Sequence, residues 1–254
     1  MRHGELLRTA LYYLCVPKCV HCRKKLAFDE DVFCRECREE FAKEIDRQCS
    51  ICAKHISKCT CSTRELQSKG IKQVIKSYRY LRRDEITAAN SLIFSLKRDG
   101  RRDVLSFCRN LLINALENTD INLSNCVFVH IPRRHSQIIK VGFDHSKQLC
   151  SAVAKHFSAE CIPLLRSRSK KPQKSLTKEE RKKNVSFKLR RKPELRGKTV
   201  ILVDDIITTG SSMLEAARLV RELGAGRIIA CALAIAYKDT HESFDYVFED
   251  DFYH

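Results

Sequence analysis

Hydrophobic residues recur along the chain with two different periods, and their alternation outlines the fold. Val74–Leu81 alternates in part and predicts a strand. Ile86, Ala89, Ile93 and Leu96 mark one face of a helix over Asp84–Arg98, ending near Gly100. A second helix is expected over about Val104–Glu117. Cys126–Ile131 (CVFVHI) reads as a buried strand closed by Pro132, and Gly142–Phe157 as a helix. Thr199–Val203 (TVILV) is another buried strand, followed by a helix over about Gly210–Leu223 and a strand over Arg227–Ala236. Strands alternating with helices predict an α/β fold: a mainly parallel sheet with helices on both faces.

The first quarter of the chain follows a different logic. Nine of the fourteen cysteines lie between Cys15 and Cys61. Cys19-x2-Cys22 and Cys34-x2-Cys37 have zinc-ribbon spacing, and Cys49-x2-Cys52 with Cys59-x-Cys61 repeats the theme. A CxxC turn delivers two thiolates to one ion, and two pairs complete a tetrahedron. In sequence order, one site is Cys19, Cys22, Cys34 and Cys37, and the other Cys49, Cys52, Cys59 and Cys61. An interleaved pairing satisfies the same spacing. Four thiolates leave no open coordination position, so one or two structural zinc ions are expected. Cys15 and His21 are spare. Residues 62–73 are polar without a strong period and read as a linker. The division is therefore a zinc-ribbon domain over 1–65 and an α/β domain over 66–254.

Charge adds a partner class. The 254 residues carry 48 Lys and Arg against 31 Asp and Glu, a formal net charge of +17, which favours an anionic partner. Residues 166–198 hold fifteen cations and three glutamates, so this one stretch supplies most of the surplus. Lys170, Lys171, Lys174, Arg181, Lys182 and Lys183 are its candidate contacts to a single-stranded nucleic-acid backbone. Phe187 is the stretch's one aromatic, which argues against tight base stacking. No apolar run reaches the 18 residues of a membrane span, and no secretory signal is readable, so a cytoplasmic protein with reduced thiols is expected. His130, His135, His145 and His156 show no metal spacing.

The chemistry is written after the strand Val200-Ile201-Leu202-Val203. Asp204 and Asp205 follow it, then Thr208, Thr209, Gly210, Ser211 and Ser212 lead into a helix. Helix-start N–H groups and hydroxyls suit a phosphate, and Gly210 permits close backbone approach. Carboxylates beside that cradle suit sugar hydroxyls or a divalent cation. As strand-end acids they are expected to be exposed and dispensable for folding.

This segment resembles the phosphoribosyl-pyrophosphate (PRPP) motif of type I phosphoribosyltransferases. The resemblance implies that Asp204 and Asp205 hold ribose, that Thr208 to Ser212 hold the 5′-phosphate, and that Mg²⁺ accompanies PRPP. Purine-salvage members carry a base-side Asp where this chain has Thr208, which argues against a purine substrate. The wider order is Leu96-Lys97-x2-Gly100, Ile131-Pro132-Arg133-Arg134, Lys140-x-Gly142-Phe143, Leu149, and then Gln173, Leu176, Arg181, Asn184 and Phe187 ahead of the PRPP motif. With the cysteine ribbon it resembles the ComF family of competence-associated proteins over nearly the whole chain. That resemblance implies a role on single-stranded DNA in natural transformation, contact with a competence helicase, and pyrophosphate contacts from Arg133 and Arg134. Val141-Gly142-Phe143-Asp144-His145 departs from the family's Arg-Gly-Phe-Asn-Gln. Two other readings remain open: a metabolic phosphoribosyltransferase acting on a nitrogen nucleophile, and a zinc-dependent nucleic-acid module with a relic pocket. No residue is assigned a catalytic role, and turnover itself is left open.

Overall fold

The computed structural model describes residues 16–80, 86–168 and 185–236. Five strands form one parallel sheet in the order β1-β7-β6-β2-β3. They are β1 (Gln73–Tyr80), β2 (Cys126–His130), β3 (Glu160–Cys161), β6 (Thr199–Ile207) and β7 (Arg227–Ala236). β6 and β2 are central and buried on both faces, which explains their continuous apolar runs. A separate antiparallel pair joins β4 (Leu165–Ser167) to β5 (Phe187–Leu189).

One face is covered by α3 (Ala88–Arg98), α4 (Arg102–Glu117) and α6 (His145–His156). The other carries α7 (Ser211–Glu222) and the short α2 (Arg64–Ser68). The side chains of β6 alternate between these cores: Ile201 and Val203 face the first, Val200 and Leu202 the second. Two further helices are α1 (Arg35–Ile45) in the cysteine-rich module and α5 (His135–Val141) beside the site.

Several expectations change. The helix expected over Gly142–Phe157 is two helices, because Gly142 adopts φ 86° and ends α5, and Asp144 then caps α6 by accepting from Lys147 N–H. β6 does not stop at Val203 but runs to Ile207, pairing Asp204 with Ala232. Residues 62–73 are not a plain linker. Thr63 caps α2, whose Leu66 is buried in the second core, and Ser62 is buried too.

The cysteine-rich module is continuous with the first core. Phe33 and Phe41 stack with Phe107 and Tyr78 at centroid separations of 5.1–5.9 Å. His21 Nδ1 meets Ser91 Oγ at 2.9 Å, Glu40 accepts from Ala88 N–H at the start of α3, and Arg101 donates to Lys18 carbonyl. The spare ribbon histidine is therefore a docking contact.

Candidate functional site

The two cysteine sets gather in sequence order. Cys19, Cys22, Cys34 and Cys37 place their sulfurs within 4.8 Å of one another, as do Cys49, Cys52, Cys59 and Cys61. The interleaved pairing is thereby excluded. A tetrahedral zinc with bonds of about 2.3 Å separates sulfurs by about 3.8 Å. Cys22 and Cys34 stand 3.5 Å apart, so the donor set fits such an ion.

Each cluster begins with the same knuckle. Cys19 N–H donates to Lys24 carbonyl and Arg23 N–H to Cys19 carbonyl; Cys49 N–H donates to Lys54 carbonyl and Ala53 N–H to Cys49 carbonyl. Arg23 and Ala53 both take positive φ, at 64° and 56°. Burial opposes ionisation of Cys19 and Cys49, but backbone N–H groups aimed at the sulfurs outweigh it, bringing them to about 7 and about 6. Burial pushes Cys37 and Cys61 the other way. Lys76, wholly buried on β1, donates to Cys59 Sγ at 3.3 Å and to the Cys59 and Cys61 carbonyls at 3.0 and 3.1 Å. It places an amino group against the four-cysteine centre, a contact that spacing alone does not reveal.

The second site lies at the carboxyl ends of β2 and β6. Asp205 points into the α3–α6 core side and is buried. His145 Nε2 lies 2.5 Å from its Oδ2, and Lys97 Nζ lies 3.3 Å from the same oxygen. Arg133 Nη1 meets His145 Nδ1 at 3.0 Å and Lys97 carbonyl at 3.4 Å. A guanidinium only donates, so Nδ1 accepts and Nε2 carries the proton donated to Asp205. Burial raises the Asp205 carboxyl, but the Lys97 charge, followed by His145 and Arg133, outweighs it and holds it well below the usual carboxylate range.

Asp204, its neighbour on β6, is partly exposed. It accepts from Asp205 N–H at 2.9 Å and faces Ser146 Oγ at 3.5 Å. Desolvation and the Asp205 charge push its carboxyl well above the ordinary value. The acids are thus unlike: Asp205 is buried and held by cations, whereas Asp204 is partly exposed and has no cation within ion-pair distance among the described contacts. This corrects the expectation of two exposed, dispensable carboxylates.

Thr208 to Ser212 form the turn into α7. Gly210 takes φ 74°, and a Cβ there would lie 2.9 Å from Leu66 Cδ2. Thr209 Oγ1 meets Ser211 Oγ at 2.9 Å and accepts from Ser211 N–H. Thr209 is exposed, while Thr208, Ser211 and Ser212 are half-buried around the turn. Arg134 caps α5 by backbone conformation and is half-buried. Arg133 is joined to the Asp205 network through His145. Sequence reasoning set His145 aside with the other histidines and listed Lys97 only within a motif. The cue was the departure from Asn-Gln to Asp144-His145.

Lys170, Lys171, Lys174, Arg181, Lys182 and Lys183 lie outside the described residues. The chain enters and leaves that segment side by side, with Arg168 N–H donating to Ser186 carbonyl at 2.8 Å beyond the β4–β5 ladder. Phe187 is buried in the core and unavailable to stack on a base.

Residues 145–251 match the phosphoribosyl transferase domain family. The DNA utilization protein YhgH of Escherichia coli is 28% identical over 143 residues, covering 54% of this chain and 63% of that protein. The chain thus spans less than two thirds of that curated relative's length. A ribose-phosphate pyrophosphokinase of Prochlorococcus marinus is 49% identical over 49 residues, 19% of this chain and 15% of that enzyme. Among solved structures, adenine phosphoribosyltransferase from Rhodothermus marinus is 21% identical, covers 54% of this chain and 69% of its own, and has a TM-score of 0.35. No helix among the described residues is long and apolar enough to cross a membrane. The chain is thus similar to the DNA utilization proteins over about half its length, and it carries two four-cysteine clusters ahead of residues that match the phosphoribosyl transferase domain family.

Proposed function

We propose that the chain binds PRPP or a related phosphoribosyl ligand with Mg²⁺, and acts on single-stranded DNA during DNA uptake in natural transformation. The unlike pair Asp204 and Asp205 carries this reading. Asp204 would accept from the ribose hydroxyls or stand beside Mg²⁺. Thr208, Thr209, Gly210, Ser211 and Ser212 would hold the 5′-phosphate through hydroxyls, N–H groups and the positive end of α7. Asp205 acts through other residues: it fixes Lys97 and, through His145, Arg133, giving a cationic wall for the pyrophosphate. Arg134 would add to that wall. Positioning and charge neutralisation are what such a pocket offers any displacement of pyrophosphate.

Zinc in the two clusters would be structural. Single-stranded DNA would meet the basic segment 169–184 and the cationic stem that carries it, and a competence helicase is the protein partner implied by the resemblance. A cytoplasmic location fits a small phosphorylated ligand and reduced thiols. Calorimetric titration with PRPP and Mg²⁺, repeated with ribose 5-phosphate, tests the pocket. Binding of both, with PRPP tighter, supports the reading. Binding of neither refutes it.

A further inference from the structure

Cys150 and Cys161 stand apart from both cysteine clusters. Cys150 lies midway along α6 and Cys161 ends β3, joined by the turn over Phe157–Ala159. Ala159 N–H donates to Ala154 carbonyl and tightens that turn, bringing the two sulfurs to 3.7 Å. Among the described residues, only the two ribbon clusters gather three or more metal-ligating groups, so this pair is a dithiol rather than a metal site.

The two thiols differ. Cys150 is fully buried, and Cys161 is partly exposed on the sheet's edge strand. Ser151 Oγ lies 3.6 Å from Cys161 Sγ. The Cys150 thiol, despite opposing burial, then Ser151 and the Lys147 charge bring Cys161 down to about 6, whereas burial pushes Cys150 up. A partly exposed thiol stabilised as the thiolate is the one that reacts, and a buried neighbour resolves it.

The geometry points to Cys161 as a peroxide-reactive site that Cys150 closes into an intrachain disulfide. The Cys161 thiolate attacks one oxygen of hydrogen peroxide. The O–O bond breaks, hydroxide leaves, and Cys161 becomes a sulfenic acid. The Cys150 sulfur then attacks the Cys161 sulfur. The S–O bond breaks, and the hydroxyl departs with the Cys150 proton as water. Each sulfur loses one electron, and peroxide takes up both. The sulfurs must close from 3.7 Å to about 2.05 Å.

Trypsin separates the two cysteines cleanly, into residues 148–155 and 156–166, each with one cysteine. The zinc-loaded full chain is treated with hydrogen peroxide, alkylated and digested without reductant. The expected product is the disulfide-linked 148–155/156–166 pair, lost on later reduction. Cys161→Ser should abolish it. Cys150→Ala should leave a Cys161 sulfenic acid that dimedone traps. The wild-type digest alone decides the matter if that variant does not fold. Cys161 left reduced, linked to another cysteine, or taken to sulfinic acid while Cys150 stays free would overturn the inference.

Discussion

His145 and Asp205 share the shortest contact of the site, 2.5 Å between Nε2 and Oδ2, although sixty residues separate them. The pair joins α6 to β6, and it hands Arg133 a fixed acceptor. His145→Gln keeps a polar side chain but breaks this chain of contacts. PRPP affinity should fall roughly tenfold, the loss of one hydrogen bond to a charged group. Ribose 5-phosphate affinity should stay within twofold, because that ligand lacks the pyrophosphate. Equal losses for both ligands, measured by calorimetry, would remove Arg133 from a pyrophosphate role.

Asp204 and Asp205 should respond oppositely to pH. Asp204 is raised in the folded protein, so the native state holds its proton to higher pH than the unfolded chain does, and stability falls as pH rises through that interval. Asp204→Asn should therefore raise Tm by a few degrees at pH 7 and leave it unchanged near pH 3. Asp205 is depressed, so its contribution is present above the unfolded carboxyl value and lost as pH falls below it. Asp205→Asn should lower Tm at pH 7, since Lys97 loses its counter-charge. Denaturation scans across pH give both signs.

Lys76 predicts a difference between the two clusters. Lys76→Met removes the buried cation at Cys59 and leaves the first cluster untouched. A chelator should strip one zinc at least tenfold faster than in the parent, with the second release unchanged, in line with the effect of outer partners on metal affinity. Chromophoric chelator kinetics count both ions. Identical release from the variant would make Lys76 merely a packing residue.

Gly210→Ala meets two obstacles, a positive φ and the Leu66 side chain. A cost of about 1–3 kcal/mol is expected in urea unfolding. Leu66→Ala in the same chain should relieve the clash but not the φ strain, so in urea unfolding the two changes together should cost less than the sum of their separate costs.

The basic segment predicts salt dependence. Single-stranded DNA binding should weaken steeply with salt, with a slope near −0.7 per phosphate neutralised. Replacing Lys170, Lys171 and Lys174 by Glu should shallow that slope by about two and weaken every sequence alike. Fluorescence anisotropy over a salt series reads both quantities.

The parts legible in the sequence were those with a local signature. Cys-x2-Cys and Cys-x-Cys spacing marks both four-cysteine clusters, and the TVILV and RIIACALAIA runs mark central strands. The acidic pair and hydroxyl loop were equally visible as a string. What was hidden depended on contacts across the fold. The 3.6 period over 142–157 concealed the Gly142 break, because a positive-φ glycine leaves hydropathy unchanged. The polar stretch 62–73 concealed α2, whose single apolar anchor, Leu66, matters only once Gly210 sits on it. Nothing local marks the roles of His145, Lys97 and Lys76, which depend on Asp205 and Cys59 being placed against them.

In the proposed site Asp204 accepts the sugar while Asp205 organises the cations around it. Titration of PRPP with Mg²⁺ into Asp204→Ala tests it most directly, because this acid is partly exposed and its removal leaves the Lys97–Asp205–His145–Arg133 network in place. The variant should be folded and zinc-loaded, with a PRPP affinity at least tenfold lower and its salt-sensitive DNA binding intact. A variant that binds PRPP as tightly as the parent would contradict it.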